Sequence, residues 1–414
     1  MATLYDVAHF CSWNGYAEDM RPYFGVDKAA WTNEECWFPF GANVLYGKLR
    51  KSRLQILCEK SQGENLVTRV KELLAVRAKP DISDAEGNTA LMVCCHFEYP
   101  TIAKLLLAAG ADANKAASDG WTPLHFTLLG ENITTAKELI DELIRCGANI
   151  NAKDNNDAAP IRVAISEGNL TLVKHLVSKG AVISEMDTYM AIVKGNLPIV
   201  KYLVSQGAEI TDDMFENLIK KGDGEMLLYF QKLGLRAPTM SIVQAIQYKQ
   251  YKLIGLLAKM GASVNGMGDD IPLVDAIDNA DYHAMRELCK AGANVNILHP
   301  FYNTTPIYSA IMKTDAKAIK ILCEYKVDLN TVINNDTPLQ FSMSLASGHR
   351  DEPAFMDCVK EIIKGGPDFG ILNQWGETAA EDAADRKFHD LVILIKRAEM
   401  KTRFALKNAK GQKK

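Results

Sequence analysis

Residues 195–210 read GNLPIVKYLVSQGAEI, and residues 168–183 read GNLTLVKHLVSKGAVI. Two near-copies of sixteen residues, set 27 apart, make the period the first thing to explain. In the earlier copy Leu172, Val173, Leu176 and Val177 recur at helical spacing, so the segment predicts an amphipathic helix. Gly-Ala follows in both copies. Gly180 and Gly207 suit the left-handed conformation that ends a helix.

The same mark recurs outward in both directions. It falls at Arg77 (degenerate, in RAKPD), Gly110, Gly147, Gly180, Gly207, Gly234, Gly261, Gly292, Lys326 (degenerate, in KVDLN) and Gly365. The steps are 33, 37, 33, 27, 27, 27, 31, 34 and 39 residues. A second signal opens the next helix: EGNTALM (86–92), DGWTPLH (119–125), YNTTPIY (302–308) and NNDTPLQ (334–340). Thr122 is placed to cap that helix through its hydroxyl, and Pro123 suits the first helical position, where an N–H would be unpaired anyway. Thr89, Thr305, Thr337 and Thr378 hold the same place.

This pattern resembles the ankyrin repeat: a turn, two antiparallel helices and a loop in about 33 residues, with T-P-L-H opening the first helix. The resemblance covers about nine-tenths of the chain, in about 12 units. FCSWNGYAEDMRPYF at the start fits a helix, an Asn-Gly turn and a second helix, so residues 1–25 read as a degenerate first unit. NQWGETAAEDAADRKFHDLVILI, within 373–395, reads as a capping unit. The expected fold is an all-α solenoid over 54–395, with β-hairpins joining most units. In the short units, about 184–267, the six missing residues are read as the hairpin. Ser184 and Thr211 then cap the next helix directly.

Composition sets the broad class. The chain has 414 residues, 48% hydrophobic and 24% charged, and reads as folded. No apolar run approaches the ~20 residues of a membrane span. The first residues show no basic region followed by an apolar stretch, so no secretory signal is expected. Nine cysteines without a CxxC pair suggest reduced thiols and a cytoplasmic setting. A net charge of −4 argues against nucleic acid as the partner of the whole chain.

Two segments depart from the repeat. Residues 26–53 are an aromatic-rich insertion, with Trp31, Trp37 and Phe40 as either a cover for the first units or an anchor for a partner. Residues 396–414 hold eight Lys or Arg and one Glu, +7, which leaves −11 on the rest. This basic tail, with Lys401, Arg403, Lys407, Lys410, Lys413 and Lys414, reads as a solvated end or as a dock for an acidic surface such as a microtubule wall.

Catalytic, cofactor and metal sites are not expected. Cys94 and Cys95 occupy the repeat's two small-residue positions, so they read as packing. The resemblance makes His125 a structural histidine that bonds near the Thr122 turn. The other histidines show no HExxH or His-x-His spacing. Asp212-Asp213 and Asp269-Asp270 sit where first helices begin, which complements the helix dipole.

The resemblance implies a non-catalytic scaffold or adaptor that binds proteins through hairpin tips and the face made by the first helices. The tip or near-tip positions are Asn88, Asp119, Trp121 and Asn156 in one half and Asn303 and Asn335 in the other, with Trp121 the leading candidate. The alternative is a structural component of a cytoskeletal or flagellar assembly, and a more distant one is a host-directed effector of a parasite or large virus. The short Lys-bearing 27-residue units resemble those of protist and large-virus repeat proteins.

Overall fold

The computed structural model describes residues 51–60, 66–268, 270–346 and 353–411. The chain forms two compact bodies, Met1–Ile210 and Thr211–Lys414. The described residues hold 22 α-helices, paired into eleven units, and no strand longer than an isolated bridge.

In the N-terminal body the first helices are α1 (Arg53–Lys60), α3 (Ala90–His96), α5 (Pro123–Thr127), α7 (Pro160–Ser166) and α9 (Glu185–Val193). Their partners are α2 (Leu66–Ala75), α4 (Pro100–Ala108), α6 (Ile133–Arg145), α8 (Leu170–Ser178) and α10 (Leu197–Ser205). First helices stack on first helices and second on second. The C-terminal body repeats the scheme. Its first helices are α11 (Asp212–Lys221), α13 (Ser241–Gln247), α15 (Pro272–Asp278), α17 (Pro306–Met312), α19 (Pro338–Ala346) and α21 (Ala379–Asp385). Its second helices are α12 (Gly224–Lys232), α14 (Ile254–Lys259, entered by a 3-10 turn), α16 (Tyr282–Lys290), α18 (Ala316–Glu324), α20 (Pro353–Gly365) and α22 (His389–Gly411).

The duplicated sixteen residues bury one triad. Leu172, Val173 and Leu176 of α8 are matched 27 residues later by Ile199, Val200 and Leu203 of α10. The shift then repeats as Met226, Leu227 and Phe230, and as Leu253, Ile254 and Leu257. All but Leu253, at 7%, are at most 1% exposed. Fully burying such a side chain contributes about 1.5–3 kcal/mol, so a common packing demand holds the triad in every copy of the repeat. Asn169, Asn196, Asp223 and Asp281 each accept a backbone N–H through the side chain and so cap the second helices.

The helix-ending marks are in place. Gly110, Gly147, Gly180, Gly207, Gly234, Gly261 and Gly292 have positive φ. At the degenerate marks Arg77 (φ 58°) and Lys326 (φ 62°) hold the same conformation despite a Cβ. The mark expected at Gly365 falls one residue later, at Gly366, because α20 runs through Gly365. The expected β-hairpins are tight loops: residues 84–88, 117–121, 154–158 and 373–377 are each closed by two backbone bonds, from the first N–H to the fifth carbonyl and from the fourth N–H to the first carbonyl.

Side chains at the fourth position after each mark tie successive units together. Asp81, Asn114 and Asn151 accept the N–H of Asp112, Asn149 and Val182. Asn265, Asn296 and Asn330 accept those of Asn294, Asp328 and Asp368. In the short units the fourth position is Ser184, Thr211 or Pro238. Ser184 and Thr211 have become helix caps, and the ladder lapses there. Ser184 accepts the Asp187 N–H as expected, whereas the Thr211 side chain makes no cap bond.

The tail has a regular backbone. Helix α22 begins in the capping unit and its backbone stays helical to Gly411, so 396–411 extends the last repeat helix.

Candidate protein-binding surface

The projecting loops are built by one device. The first residue turns its side chain back to accept N–H groups further along the loop. Asp84 accepts from Glu86 and Asn88, Asp154 from Asn156 and Ala158, and Asn373 from Trp375 and Glu377. Loops 84–88, 117–121 and 154–158 are also joined to each other. The Ser118 N–H donates to Glu86 O (2.9 Å) and the Asn155 N–H to Asp119 O (3.0 Å). A Cβ on Gly87 would meet Ser118 N at 2.8 Å, and one on Gly120 would meet Asn155 N at 2.7 Å. Both glycines also have positive φ, so these positions need glycine twice over.

Behind several loops, the residue three after the cap reaches into the next unit. His125 Nδ1 accepts from the Thr122 N–H (3.1 Å) and hydroxyl (3.0 Å). Its Nε2 meets Ala158 O at 3.1 Å. A carbonyl only accepts, so these partners assign the neutral ring with hydrogen on Nε2. Burial holds the His125 pKa below its ordinary 6.5. The Thr122 hydroxyl is thus spent on the imidazole. Gln55 and Gln340 do the same work. Each accepts at Oε1 from its cap residue, and each donates from Nε2, to Asn88 O and to Ile371 O. Tyr308 donates its hydroxyl toward Thr331 O and Asp336 O. Its phenol pKa is raised by burial.

The tip residues now have places. Asp119, Asn156, Asn303 and Asn335 are exposed. Asn303 (φ 47°) and Asn335 (φ 69°) supply the left-handed turn residue. Asn88 is half-buried and tied to Asp84 and Glu86. Trp121 is also half-buried. Its Nε1–H donates to Asp154 Oδ2 (3.1 Å), and its ring lies against His125 and Phe126. The indole therefore bridges two loops, a placement the sequence could not reveal because Asp154 is 33 residues away. Trp31, Trp37, Phe40, Lys413 and Lys414 lie outside the described residues. Lys401 is exposed on α22, and Arg403, Lys407 and Lys410 follow on the same helix.

Other exposed apolar side chains sit on the loops of the C-terminal body. Phe301 is 72% exposed, Tyr302 75% and Trp375 61%. The signal for the first two is in HPFYNTT: Gly292 to Thr305 spans thirteen residues where Gly110 to Thr122 spans twelve. The added residue lengthens the loop, which is closed by His299 N–H to Thr304 O (2.8 Å). A pocket of about 620 Å³ adjoins it, lined by residues of α15, α17 and this loop.

Cys94 and Cys95 pack as expected. Both are fully buried, and Cys94 Sγ lies 3.1 Å from Cys58 Sγ. Burial pushes the Cys95 thiol up to about 12 and the Cys94 thiol well up, opposite to what a nucleophile needs. Among the described residues no group of three His, Cys, Asp or Glu is placed to hold a metal, and no helix is long and apolar enough to cross a membrane.

Helix pairs in series, ended by left-handed turns and carrying loops on one side of the first helices, define a repeat protein of the interaction class. The family model of ankyrin repeats (3 copies) matches residues 54–154 and 131–214, so the chain carries ankyrin repeats. It is 30% identical over 118 residues to the putative palmitoyltransferase ZDHHC13 of Danio rerio (28% of this chain, 18% of that one). It is 33% identical over 109 residues to the putative ankyrin repeat protein FPV034 of fowlpox virus, strain NVSL (26% and 25%). It is 28% identical over 231 residues to the human transient receptor potential cation channel subfamily A member 1 (53% and 19%). The chain spans a quarter or less of the length of each of these relatives. Ankyrin repeats form a protein–protein interaction domain.

Proposed function

We propose that the chain is a non-catalytic scaffold or adaptor that captures partner proteins on its loop tips and the adjoining first-helix face. The observation that carries this reading is the cluster of exposed apolar side chains there: Phe301, Tyr302 and, at 50%, Met312. Aromatic side chains on a rigid support are what interface hot spots are made of. Asp119, Asn156, Asn303 and Asn335 supply polar contacts around them. Trp121 and Asn88 serve by holding the loops, and Trp31, Trp37 and Phe40 stay candidates for an anchor. The test is substitution at the tips. Phe301→Ser with Tyr302→Ser should abolish recovery of specific partners from a cell extract without changing helix content. Full recovery would sink the reading.

A second reading is favoured by α22. Its backbone carries a run of positive charge to Gly411 as one helix, an arm suited to an acidic polymer such as a microtubule, within a cytoskeletal or flagellar assembly. Each Lys or Arg near an anionic surface contributes about 1 kcal/mol, screened over about 8 Å at physiological salt. Truncation after Ile395 should then cut co-sedimentation with microtubules steeply at low salt and hardly at all at high salt. Equal binding of both forms at low salt removes the arm from the account.

A further inference from the structure

The pocket beside loop 299–304 is lined by Asp275 and Asp278 of α15, Met312 of α17, Lys313, Phe301 and Tyr302, among others. Its polar groups are unevenly matched. Lys313 Nζ lies 3.5 Å from Asp278 Oδ1. The Asp275 carboxylate has no hydrogen bond or ion pair among the described residues. Burial raises its pKa, and the neighbouring carboxylates Asp270 and Asp278 raise it further. Two carboxylates, Asp275 and Asp278, thus line the pocket against one ammonium, with Asp270 close enough to add to the negative field. The backbone that carries the aromatic pair is held by His299. His299 is buried, and its Nδ1 accepts the N–H of Phe301 (3.3 Å) and of Tyr302 (3.4 Å). Its ring stands 4.6 Å from that of Tyr302.

We propose that this pocket recognises a lysine or arginine side chain, presented next to an apolar residue by an extended segment of a partner protein. A cation satisfies Asp275 and offsets its repulsion from Asp270 and Asp278, which no neutral or acidic group does. Phe301 and Tyr302 offer ring faces to the same cation, and Met312 offers apolar surface to its neighbour. The proposal rests on the reading that the loop and first-helix surface binds protein segments.

The test is selection from a random peptide library displayed on phage, against the full chain and three variants: Asp275→Asn, Phe301→Ser and Tyr302→Ser. All three residues are exposed, so the variants should keep the helix content of the parent by circular dichroism. The enriched peptides should carry Lys or Arg beside an apolar residue. Synthetic copies should bind about tenfold or more weakly to Asp275→Asn, the loss of a charge-assisted bond. Copies with Lys or Arg replaced by norleucine should lose the same factor on the parent chain and nothing further on Asp275→Asn. Peptides that bind all variants equally would leave a protein-binding surface standing and overturn this pocket. No enrichment, or enrichment without a cation, overturns it as well. Self-association lost both by truncation after Ile395 and by Asp275→Asn would instead assign the pocket to a second copy's basic helix.

Discussion

His125 shows how one side chain can hold a repeat together and also make it sensitive to acid. The neutral ring bonds Thr122 on one side and Ala158 O on the other. Its pKa in the folded chain lies below 6.5, so on acidification the unfolded chain takes up the proton first. Stability should therefore fall as pH drops below about 6.5, and level off once the pH passes the folded value. His125→Gln should remove that component and keep the fold, because Gln55 and Gln340 make the same bonds from the same place. His125→Ala should cost about 1–3 kcal/mol by leaving buried polar groups unpaired. Urea unfolding of the three forms at pH 5 and pH 7.5 checks both, and an unchanged pH slope in His125→Gln would contradict the assignment. Gly120 gives a second residue-scale prediction. Alanine there meets both a left-handed backbone and the Asn155 backbone, and should cost about 2–4 kcal/mol. Gly147→Ala meets only the backbone term, since nothing lies within 4 Å, and should cost about 1–2 kcal/mol. Equal costs in urea would show that loop contact adds nothing.

At the scale of the element, the short units trade linkage for brevity. Their fourth position after the mark is occupied by Ser184, Thr211 and Pro238, so the side-chain ladder of the other units lapses. Each such bond contributes about 0.5–1.5 kcal/mol. Amides of α9, α11 and α13 should therefore exchange about tenfold or more faster than those of α5 and α7 in hydrogen-exchange mass spectrometry. Uniform protection would show that the buried triads suffice alone. The triads were legible from the sequence because they are local: Leu172, Val173 and Leu176 sit within one helix. The caps and left-handed marks were legible for the same reason. The role of Trp121 was not, because its partner Asp154 belongs to another loop. In HPFYNTT the turn signal points to Asn303, which makes the turn, and not to the exposed Phe301 and Tyr302 beside it. What decided their exposure was one added residue in the loop, a length effect that a scan for turn residues does not weigh. The helix through 396–411 was hidden by its charge, since a dense basic run scores as a solvated end whatever its backbone does.

At the scale of the whole molecule, the described chain offers a surface for contact. His125, Cys94 and Cys95 are committed to packing, while Phe301, Tyr302 and Asp275 gather about one pocket of the C-terminal body. Neighbour contacts in such arrays are local, so tip substitutions should leave the remaining units intact. The most direct test compares two multiple variants by quantitative recovery of partners from a cell extract. One carries Phe301→Ser, Tyr302→Ser, Trp375→Ser and Asp119→Ala on the loops. The other carries Lys104→Ser, Lys201→Ser, Arg286→Ser and Lys320→Ser on second helices. The account predicts that the loop variant loses the specific partners while the second-helix variant keeps them, with both folded. Loss in the second-helix variant and retention in the loop variant would contradict it.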